Sequence, residues 1–207
     1  MQNLPPAPRP LPVLSAAVLA LAASCASAPS APAGRAPAAL VQLYDQLAPD
    51  GMMEVEFDRD GNFLEMEADV PVESVPDVLI RSTRATYPDA DITGAEREVQ
   101  GDEWTWEIKF RSGGRSMEVV LDDAGNVLET ERELTADEAP AAVISASEGA
   151  VPRSGFLSVE RITGPNSEVF HVKRQRGTAR YKVVLDADGR VLRKVREAVA
   201  EIEIPVR

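Results

Sequence analysis

Apolar and polar side chains alternate along much of the chain after residue 50, which is the pattern of β-strands with one buried face. The run from residue 104 to 111 shows it most clearly. Its apolar side chains are Trp104, Trp106, Ile108 and Phe110, and its polar ones are Thr105, Glu107, Lys109 and Arg111. We therefore predict a sheet with one face packed under helices and the other face in water. The tryptophans are interpreted as core residues, with an exposed contact point for a partner as the alternative.

A pair of strand patterns joined by an acidic turn occurs three times, at residues 53–69, 117–133 and 181–197. Each copy begins 64 residues after the one before. The turn residues that fall in register are Asp58, Asp122 and Asp186, followed by Gly61, Gly125 and Gly189. A fixed period that is kept twice without a gap indicates a tandem repeat.

The full repeat is longer than the hairpin, because residues 72–134 and 136–198 are identical at 16 of 63 aligned positions. Pro76 and Pro140 stand where a helix is expected to begin, and Pro88 and Pro152 stand where it is expected to end. Four strand patterns then follow in each copy. We predict an α+β fold, a tandem repeat of one α-helix packed on a four-stranded antiparallel sheet, with an N-terminal partial unit of helix plus hairpin.

The first 25 residues contain an apolar run of about 13 residues, which is shorter than the roughly 20 residues that a membrane-spanning helix needs. A cleaved export signal fits this pattern better. Small residues precede Cys25, the only cysteine, as at the lipidation site of bacterial lipoproteins, although Leu21 stands four residues before the cysteine instead of three. We predict lipidation of Cys25, with ordinary cleavage near Ala26 or Ala28 as the alternative. Neither leaves a cysteine in the folded part to form a disulfide.

The predicted organisation follows from these boundaries. It comprises a signal peptide at 1–25, a tether rich in Ala, Pro and Ser at 26–37, a partial unit at 38–71, repeats at 72–134 and 135–198, and a C-terminal tail or edge strand at 199–207. Within the partial unit, Leu40, Leu43, Tyr44 and Leu47 have the spacing of a short amphipathic helix.

The motifs of the repeat, in this order, resemble the PepSY-like domain, a group related by fold to the secreted β-lactamase inhibitor proteins. They are a helix that begins at proline, the exit Tyr87-Pro-Asp-Ala90, an aromatic-rich strand and a V-x-L-D-x-x-G-x-V-L hairpin. The resemblance implies a non-enzymatic binding module, secreted or in the cell envelope, that has been proposed in some cases to restrain peptidases. The second repeat departs from the pattern, with Glu168 and Phe170 in place of the tryptophans, so it binds differently or serves as scaffold.

The acidic turns suggest calcium sites at first sight. However, each glycine is the fourth residue of its turn, whereas an EF-hand loop has glycine at the sixth position, so a hairpin turn is the better interpretation.

His171 is the only histidine, and one histidine without cysteine cannot supply the usual ligands of zinc or a histidine-based catalytic triad. We predict a solvated strand histidine, no metal and no cofactor.

Paired carboxylates at i and i+2, such as Glu54/Glu56, Glu65/Glu67 and Glu129/Glu131, share one strand face. Acid–base catalysis by such pairs requires a cleft that separates their pKa values, and on an open face they serve as solubilising charge. No P-loop, Rossmann glycine cluster or metalloprotease motif is present. We therefore predict that the protein is not an enzyme, and a hydrolase is the lowest-ranked hypothesis.

Charge is distributed unevenly along the chain. Residues 26–134 carry 24 acidic and 9 basic side chains, and residues 135–207 carry 10 and 12. Either these halves steer charged partners, or they complement each other within one chain or between copies. The formal net charge of −12 and the export signal argue against nucleic-acid binding.

The first functional hypothesis is a module that binds another extracytoplasmic protein through the open sheet face and contacts the membrane only through an N-terminal lipid. The candidate contact residues are Thr105, Glu107, Lys109, Arg111, Glu118, His171 and Lys173. The second is a structural envelope lipoprotein that self-associates through its acidic and basic halves. It predicts oligomers that dissociate as salt rises toward 1 M, where the screening length falls to about 3 Å.

Overall fold

A computed structural model describes residues 38–200, and the structural statements below concern those residues. The predicted signal peptide, Cys25, the tether and residues 201–207 of the C-terminal tail lie outside the described residues. No helix in the described part is long and apolar enough to cross a membrane.

Residues 38–200 contain three α-helices, α1 (Ala38–Tyr44), α2 (Asp77–Thr86) and α3 (Ala141–Ala150), together with a 3-10 helix at Val72–Ser74. As the prolines predicted, α2 and α3 begin directly after Pro76 and Pro140, whose carbonyl oxygens accept the first helical hydrogen bonds at 2.9 Å. Both helices end two residues before the next proline, at Thr86 and Ala150. The first helix is shorter than the apolar spacing suggested, because it ends before Leu47.

Ten strands form the rest of the structure. Their bounds are β1 (Met53–Phe57), β2 (Phe63–Val70), β3 (Asp91–Gln100), β4 (Glu103–Ser112), β5 (Arg115–Leu121), β6 (Val127–Leu134), β7 (Gly155–Thr163), β8 (Glu168–Arg176), β9 (Ala179–Asp186) and β10 (Val191–Glu197). All are antiparallel neighbours in chain order within one sheet. The α+β class is therefore confirmed. The strands after α2 and after α3 do not form separate four-stranded sheets, because β6 pairs with β7, with Leu134 opposite Val159.

The helices cover one face of the sheet, which we call the outer face. A separate apolar cluster lies under each helix, and Leu43, Leu79 and Val143 are fully buried members from α1, α2 and α3. Trp106 is 7% exposed in the cluster under α2, as the core interpretation expected. Trp104 is half-buried at the margin of the cluster under α1.

The opposite face, which we call the inner face, is enclosed by curling of the sheet. Glu56 in β1 lies 2.7 Å from the Arg193 guanidinium in β10 and 3.7 Å from the Lys182 ammonium in β9. These strands stand at opposite ends of the strand order, so the sheet must curve for them to meet. Register shifts occur at equivalent places in β3 and β7, and such bulges increase the local twist. The prediction of a water-exposed face is therefore wrong for its centre, where Glu107 is only 8% exposed.

Each acidic turn is held by its first aspartate. One carboxylate oxygen of Asp58, Asp122 and Asp186 accepts a hydrogen bond of 2.8 Å from the backbone N–H four residues later. The second oxygen accepts one from the side chain of that same later residue. These carboxylates are thus engaged within the turn, which supports the turn interpretation over calcium.

The glycines of these turns have left-handed backbones but different surroundings. The φ values of Gly61, Gly125 and Gly189 are 82°, 86° and 83°. A Cβ on Gly61 would meet no atom within 4 Å, whereas one on Gly189 would lie 2.7 Å from the carbonyl oxygen of Ala142 in α3. The last hairpin therefore packs directly against the backbone of its helix.

This difference predicts unequal costs for the same substitution. Gly61→Ala should lower the free energy of unfolding by about 1–2 kcal/mol, the cost of a left-handed conformation with a Cβ. Gly189→Ala should lower it further, because the added methyl group collides with helix backbone that cannot rotate away. Urea unfolding of the two variants measures the comparison, and equal losses would contradict the packing of this hairpin against α3.

Candidate functional site

Six of the seven predicted contact residues lie on the inner face. Thr105, Glu107 and Lys109 come from β4, Glu118 from β5, and His171 and Lys173 from β8. Lys109 stands opposite Glu118 in the register. Arg111 lies at the exposed end of β4, where it donates a hydrogen bond of 3.1 Å to the carbonyl oxygen of Gly114.

Residues from β6 and β7 lie between the predicted contacts of β4 and β5 and those of β8. They were not among the predicted contacts. Glu131 pairs with Glu118 on one side, and Glu160 pairs with His171 on the other. The alternation of charged residues in both strands could have identified them. Their position between the groups depends on β6 pairing with β7, which the prediction of separate sheets did not anticipate.

Burial changes the chemistry of the inner face. His171 is half-buried, and its pKa is lowered to about 4 by burial and then by the nearby Lys182 and Arg193. The prediction of a solvated histidine is therefore wrong. The imidazole is neutral at physiological pH, because the curled sheet shields it from water and surrounds it with cations.

Several carboxyl groups on the inner face have raised pKa values. Burial is the main cause, followed by repulsion from neighbouring carboxylates, and it raises the pKa of Glu67 to about 9, of Glu131 to about 8 and of Glu98 to about 7. The pKa of Glu107 is also raised well above its usual value. The interpretation of Glu67 and Glu131 as solubilising charge on an open face is therefore wrong.

Basic side chains compensate part of this acidity within the same chain. Lys109 contacts Glu96 at 2.5 Å and Glu107 at 3.9 Å. At the ends of the sheet, Glu56 contacts Lys182 and Arg193. The Lys109 contacts lie within the acidic half, whereas the Glu56 contacts join the acidic half to the basic half within one molecule. Complementarity within one chain was one of the alternatives left open by the charge distribution.

The 64-residue period shows how this complementarity arises. Glu54, Glu118 and Lys182 occupy equivalent positions, as do Glu65, Glu129 and Arg193. The earlier copies thus carry acids where the last copy carries a base. A sheet that curls brings the last copy over the first, so opposite charges face each other.

Space on the inner face is limited. The cavity next to Glu118, Glu131 and Glu160 has a volume of about 30 Å³, which is enough for a water molecule or an ion. Catalysis by paired carboxylates would require a substrate to reach them. A cavity of this size does not admit one.

The raised pKa values predict an unusual dependence of stability on pH. When the pKa of a carboxyl group is higher in the folded protein than in the unfolded chain, the folded protein binds more protons at pH values between the two pKa values. The free energy of unfolding therefore falls as the pH rises toward the pKa of the folded protein. We expect a lower free energy of unfolding at pH 9 than at pH 6.5, by up to about 1.4 kcal/mol per pH unit for each such group. The depressed pKa of His171 acts below this window, since it costs stability only as the pH falls from 6.5 toward 4.

Urea unfolding at the two pH values tests this expectation. The double variant Glu67→Gln, Glu131→Gln should flatten the dependence, whereas Glu73→Gln, at an exposed position in the 3-10 helix, should leave it unchanged. Stability that stays constant or rises between pH 6.5 and 9 would show that these carboxyls are ionised in the fold.

The outer face has a different site, built around Arg97 in β3. Its guanidinium lies over the rings of Trp106 and Trp104, at 4.6 and 5.3 Å from the ring centroids. It also donates a hydrogen bond of 2.8 Å to Asp123 in the β5–β6 turn, which accepts another of 2.9 Å from the Trp106 indole. The contact with Arg97 holds the pKa of Asp123 below its usual range. The charge pair thus fixes the orientation of the Trp106 indole by a hydrogen bond, and the Trp104 indole lies against the same guanidinium.

An open groove of about 490 Å³ passes over these side chains. It is bounded by α1 on one side, and we call it the aromatic groove; its lining residues are Gln42, Asp45, Gln46, Arg97, Trp104, Trp106 and Asp123.

Sequence reasoning did not single out Arg97. The available signal was a charged residue on the packed face of β3, between Ala95 and Val99, that recurs as Arg161 one period later.

The equivalent positions in the second repeat lack these features. Glu168, Phe170 and Ala187 stand where Trp104, Trp106 and Asp123 stand in the first. Arg161 contacts Glu168 at 3.7 Å instead. The arrangement of two indoles against one guanidinium therefore occurs in the first repeat and not at the equivalent positions of the second.

One group of side chains on the inner face could hold a metal ion. Glu131, Glu160 and His171 each offer a ligand atom, and these atoms lie within 4.8 Å of one another.

Comparison with known proteins finds a family match that covers most of the partial unit and most of the first repeat. Residues 41–129 match the family model described as “Putative beta-lactamase-inhibitor-like, PepSY-like”. The PepSY-like resemblance is confirmed. The matched residues include the C-terminal part of α1, all of α2 and the whole aromatic groove, while the second repeat lies beyond them. No curated protein matches the chain.

Solved structures with a similar fold come from Bacteroides. One from Bacteroides eggerthii, described as “putative periplasmic proteins”, has a TM-score of 0.51 at 20% identity and covers 59% of this chain and 88% of its own. A DUF2874 family protein from Bacteroides uniformis has a TM-score of 0.50 at 18% identity, with coverages of 59% and 89%. A BLIP-like protein from Bacteroides fragilis has a TM-score of 0.47 at 22% identity, with coverages of 62% and 91%. At these identities the first two show the fold alone.

Proposed function

We propose that the protein is a non-catalytic, extracytoplasmic binding module whose partner docks in the aromatic groove. The observation that carries this proposal is the pair of indoles held by Arg97 and Asp123 beside an open space. Tryptophan and arginine are the residues most enriched at the energetic centres of protein interfaces. Because the indoles are already fixed, a partner would lose little side-chain entropy on binding to them.

The charge of the groove indicates the chemistry of the partner. Arg97 is 8% exposed and is paired with Asp123, whereas Asp45 and Asp123 are exposed at the rim. The groove therefore presents apolar rings and negative charge. A protein segment with an apolar or aromatic side chain next to lysine or arginine fits both features. A peptidase is the class of partner that the family resemblance suggests.

The contact residues proposed from the sequence belong to a second possible surface. Glu107 is 8% exposed, and the side chains of Thr105, Lys109, Glu118, His171 and Lys173 are half-buried, so this surface offers a partner less accessible area than the groove does. We therefore place the primary contact at the groove. Thr105→Ala would test the inner face without breaking the ion pairs of Lys109, because it should leave partner binding unchanged if the groove alone is used.

Export is the cellular context of this proposal. It is supported by the signal pattern of residues 1–25 and by the periplasmic description of the Bacteroides eggerthii protein. Lipidation of Cys25 remains the predicted form of attachment, and mass spectrometry of the mature N-terminus distinguishes it from cleavage at Ala26 or Ala28. Self-association through the two charged halves stays a prediction, although Glu56, Lys182 and Arg193 are engaged within one chain.

The proposal predicts that Trp104→Ala weakens partner binding at least tenfold, because loss of a central interface residue typically costs more than about 1.4 kcal/mol. A photo-crosslinking residue at position 46, on the rim of the groove, identifies the partner in the cell envelope. Binding of the purified partner is then measured by calorimetry for the wild type and the variant.

Phe156→Ala serves as the matched control, because Phe156 is an aromatic residue, 37% exposed, on β7 and outside the groove. It should bind as the wild type does. If Trp104→Ala bound with unchanged affinity, or if position 46 captured no partner that binds in pure form, the groove would not be the docking site.

A further inference from the structure

The cluster of Glu131, Glu160 and His171 is assembled from three consecutive strands. Glu160 in β7 stands directly opposite His171 in β8. In the β6–β7 pair, Glu160 stands opposite Glu133, two residues after Glu131, so all these side chains lie on the inner face. Strand pairing therefore fixes the three positions, and their ligand atoms come within 4.8 Å of one another.

Two further features make this cluster differ from a group of surface acids. All three side chains are half-buried, and the cavity of about 30 Å³ beside them is lined by both Glu131 and Glu160. The cluster therefore has room for a single ion next to two of its ligand groups. Glu118 lines the same cavity and adds a third carboxyl group.

We propose that Glu131, Glu160 and His171 bind a divalent transition-metal ion of the Zn²⁺ class on the inner face. Two carboxylates and one imidazole are a known kind of ligand set for such ions, which leave a further position for water. The imidazole distinguishes this set from the all-oxygen sites that Mg²⁺ and Ca²⁺ prefer. The cavity supplies the space for the remaining water ligand.

The geometry requires only a small adjustment. Bonds of about 2.1 Å place tetrahedral ligand atoms roughly 3.4 Å apart. The distances between the ligand atoms must therefore shorten by up to about 1.4 Å. Rotation of the two glutamate side chains can supply this movement.

This inference revises the prediction of no metal. That prediction counted only histidine and cysteine, and a single histidine was judged insufficient. The structure brings two glutamates to the histidine from adjacent strands, and neither is near it in sequence. The proposed ion would link β6, β7 and β8 on the face opposite the aromatic groove, so it does not depend on the proposed partner.

The single histidine makes the test specific. Full-length protein carrying Cys25→Ser, which removes the one thiol as a competing ligand, is titrated with ZnCl₂ while the ring nitrogens of His171 are followed by NMR. We expect one of these nitrogen signals to shift with saturation near one ion per chain. MgCl₂ at the same concentration should leave both signals unmoved.

Calorimetry on variants separates the site from unspecific binding. Glu160→Gln and Glu131→Gln should each weaken Zn²⁺ binding at least tenfold, while Glu148→Gln, at an exposed position on α3, should bind as the parent does. Thermal unfolding without metal verifies that each variant is folded. Ring-nitrogen signals that do not move at millimolar ZnCl₂ would overturn the proposal, as would equal affinity in Glu160→Gln and Glu148→Gln.

Discussion

The contact of Glu56 with Lys182 and Arg193 joins the first strand of the sheet to the last two. The nine antiparallel pairings between consecutive strands would by themselves allow an open, twisted ribbon. The ion pairs between its two ends hold the ribbon in a curl with its polar face inward. The burial of that face, its shifted pKa values and its limited space all depend on this curl.

The curl also explains why the two faces of the sheet have different chemistry. On the outer face, each helix covers its own apolar cluster, and Arg97 with its two tryptophans occupies the boundary between the clusters under α1 and α2. On the inner face, charged side chains are packed against one another instead. An extended partner can reach the groove on the outer face from solvent, whereas the cavity beside Glu131 and Glu160 on the inner face has the size of an ion or a water molecule.

Local features of the fold could be predicted from the sequence because they depend on short-range chemistry. Pro76 and Pro140 mark the helix starts, Gly61 and its equivalents mark the turns, and the alternation from Trp104 to Phe110 gives the strand and its packed face correctly. The PepSY-like motifs lie within the same short segments, so the family could be recognised from them.

The curl and the sites could not be predicted in this way, because they depend on residues far apart in sequence. Glu56 and Arg193 are brought together only by the summed twist and bulges of ten strands. Without that contact, Glu67, Glu131 and His171 were expected to be in water, and their pKa values were expected to be ordinary. The sequence did not identify Arg97 as a site residue, because a charged side chain on a packed face needs partners and these are distant in sequence. Its partner Asp123 and the two indoles are brought to it only by the fold.

The central claim, that charge pairing between the ends of the sheet holds the curl, is tested most directly by a double-mutant cycle on Glu56 and Arg193. Urea unfolding of Glu56→Gln, Arg193→Gln and the double variant gives their coupling energy. The account predicts a coupling of about 1 kcal/mol or more, larger than that of the exposed pair Arg161 and Glu168, for which about 0.5 kcal/mol or less is expected. A coupling between Glu56 and Arg193 that is indistinguishable from zero would contradict it.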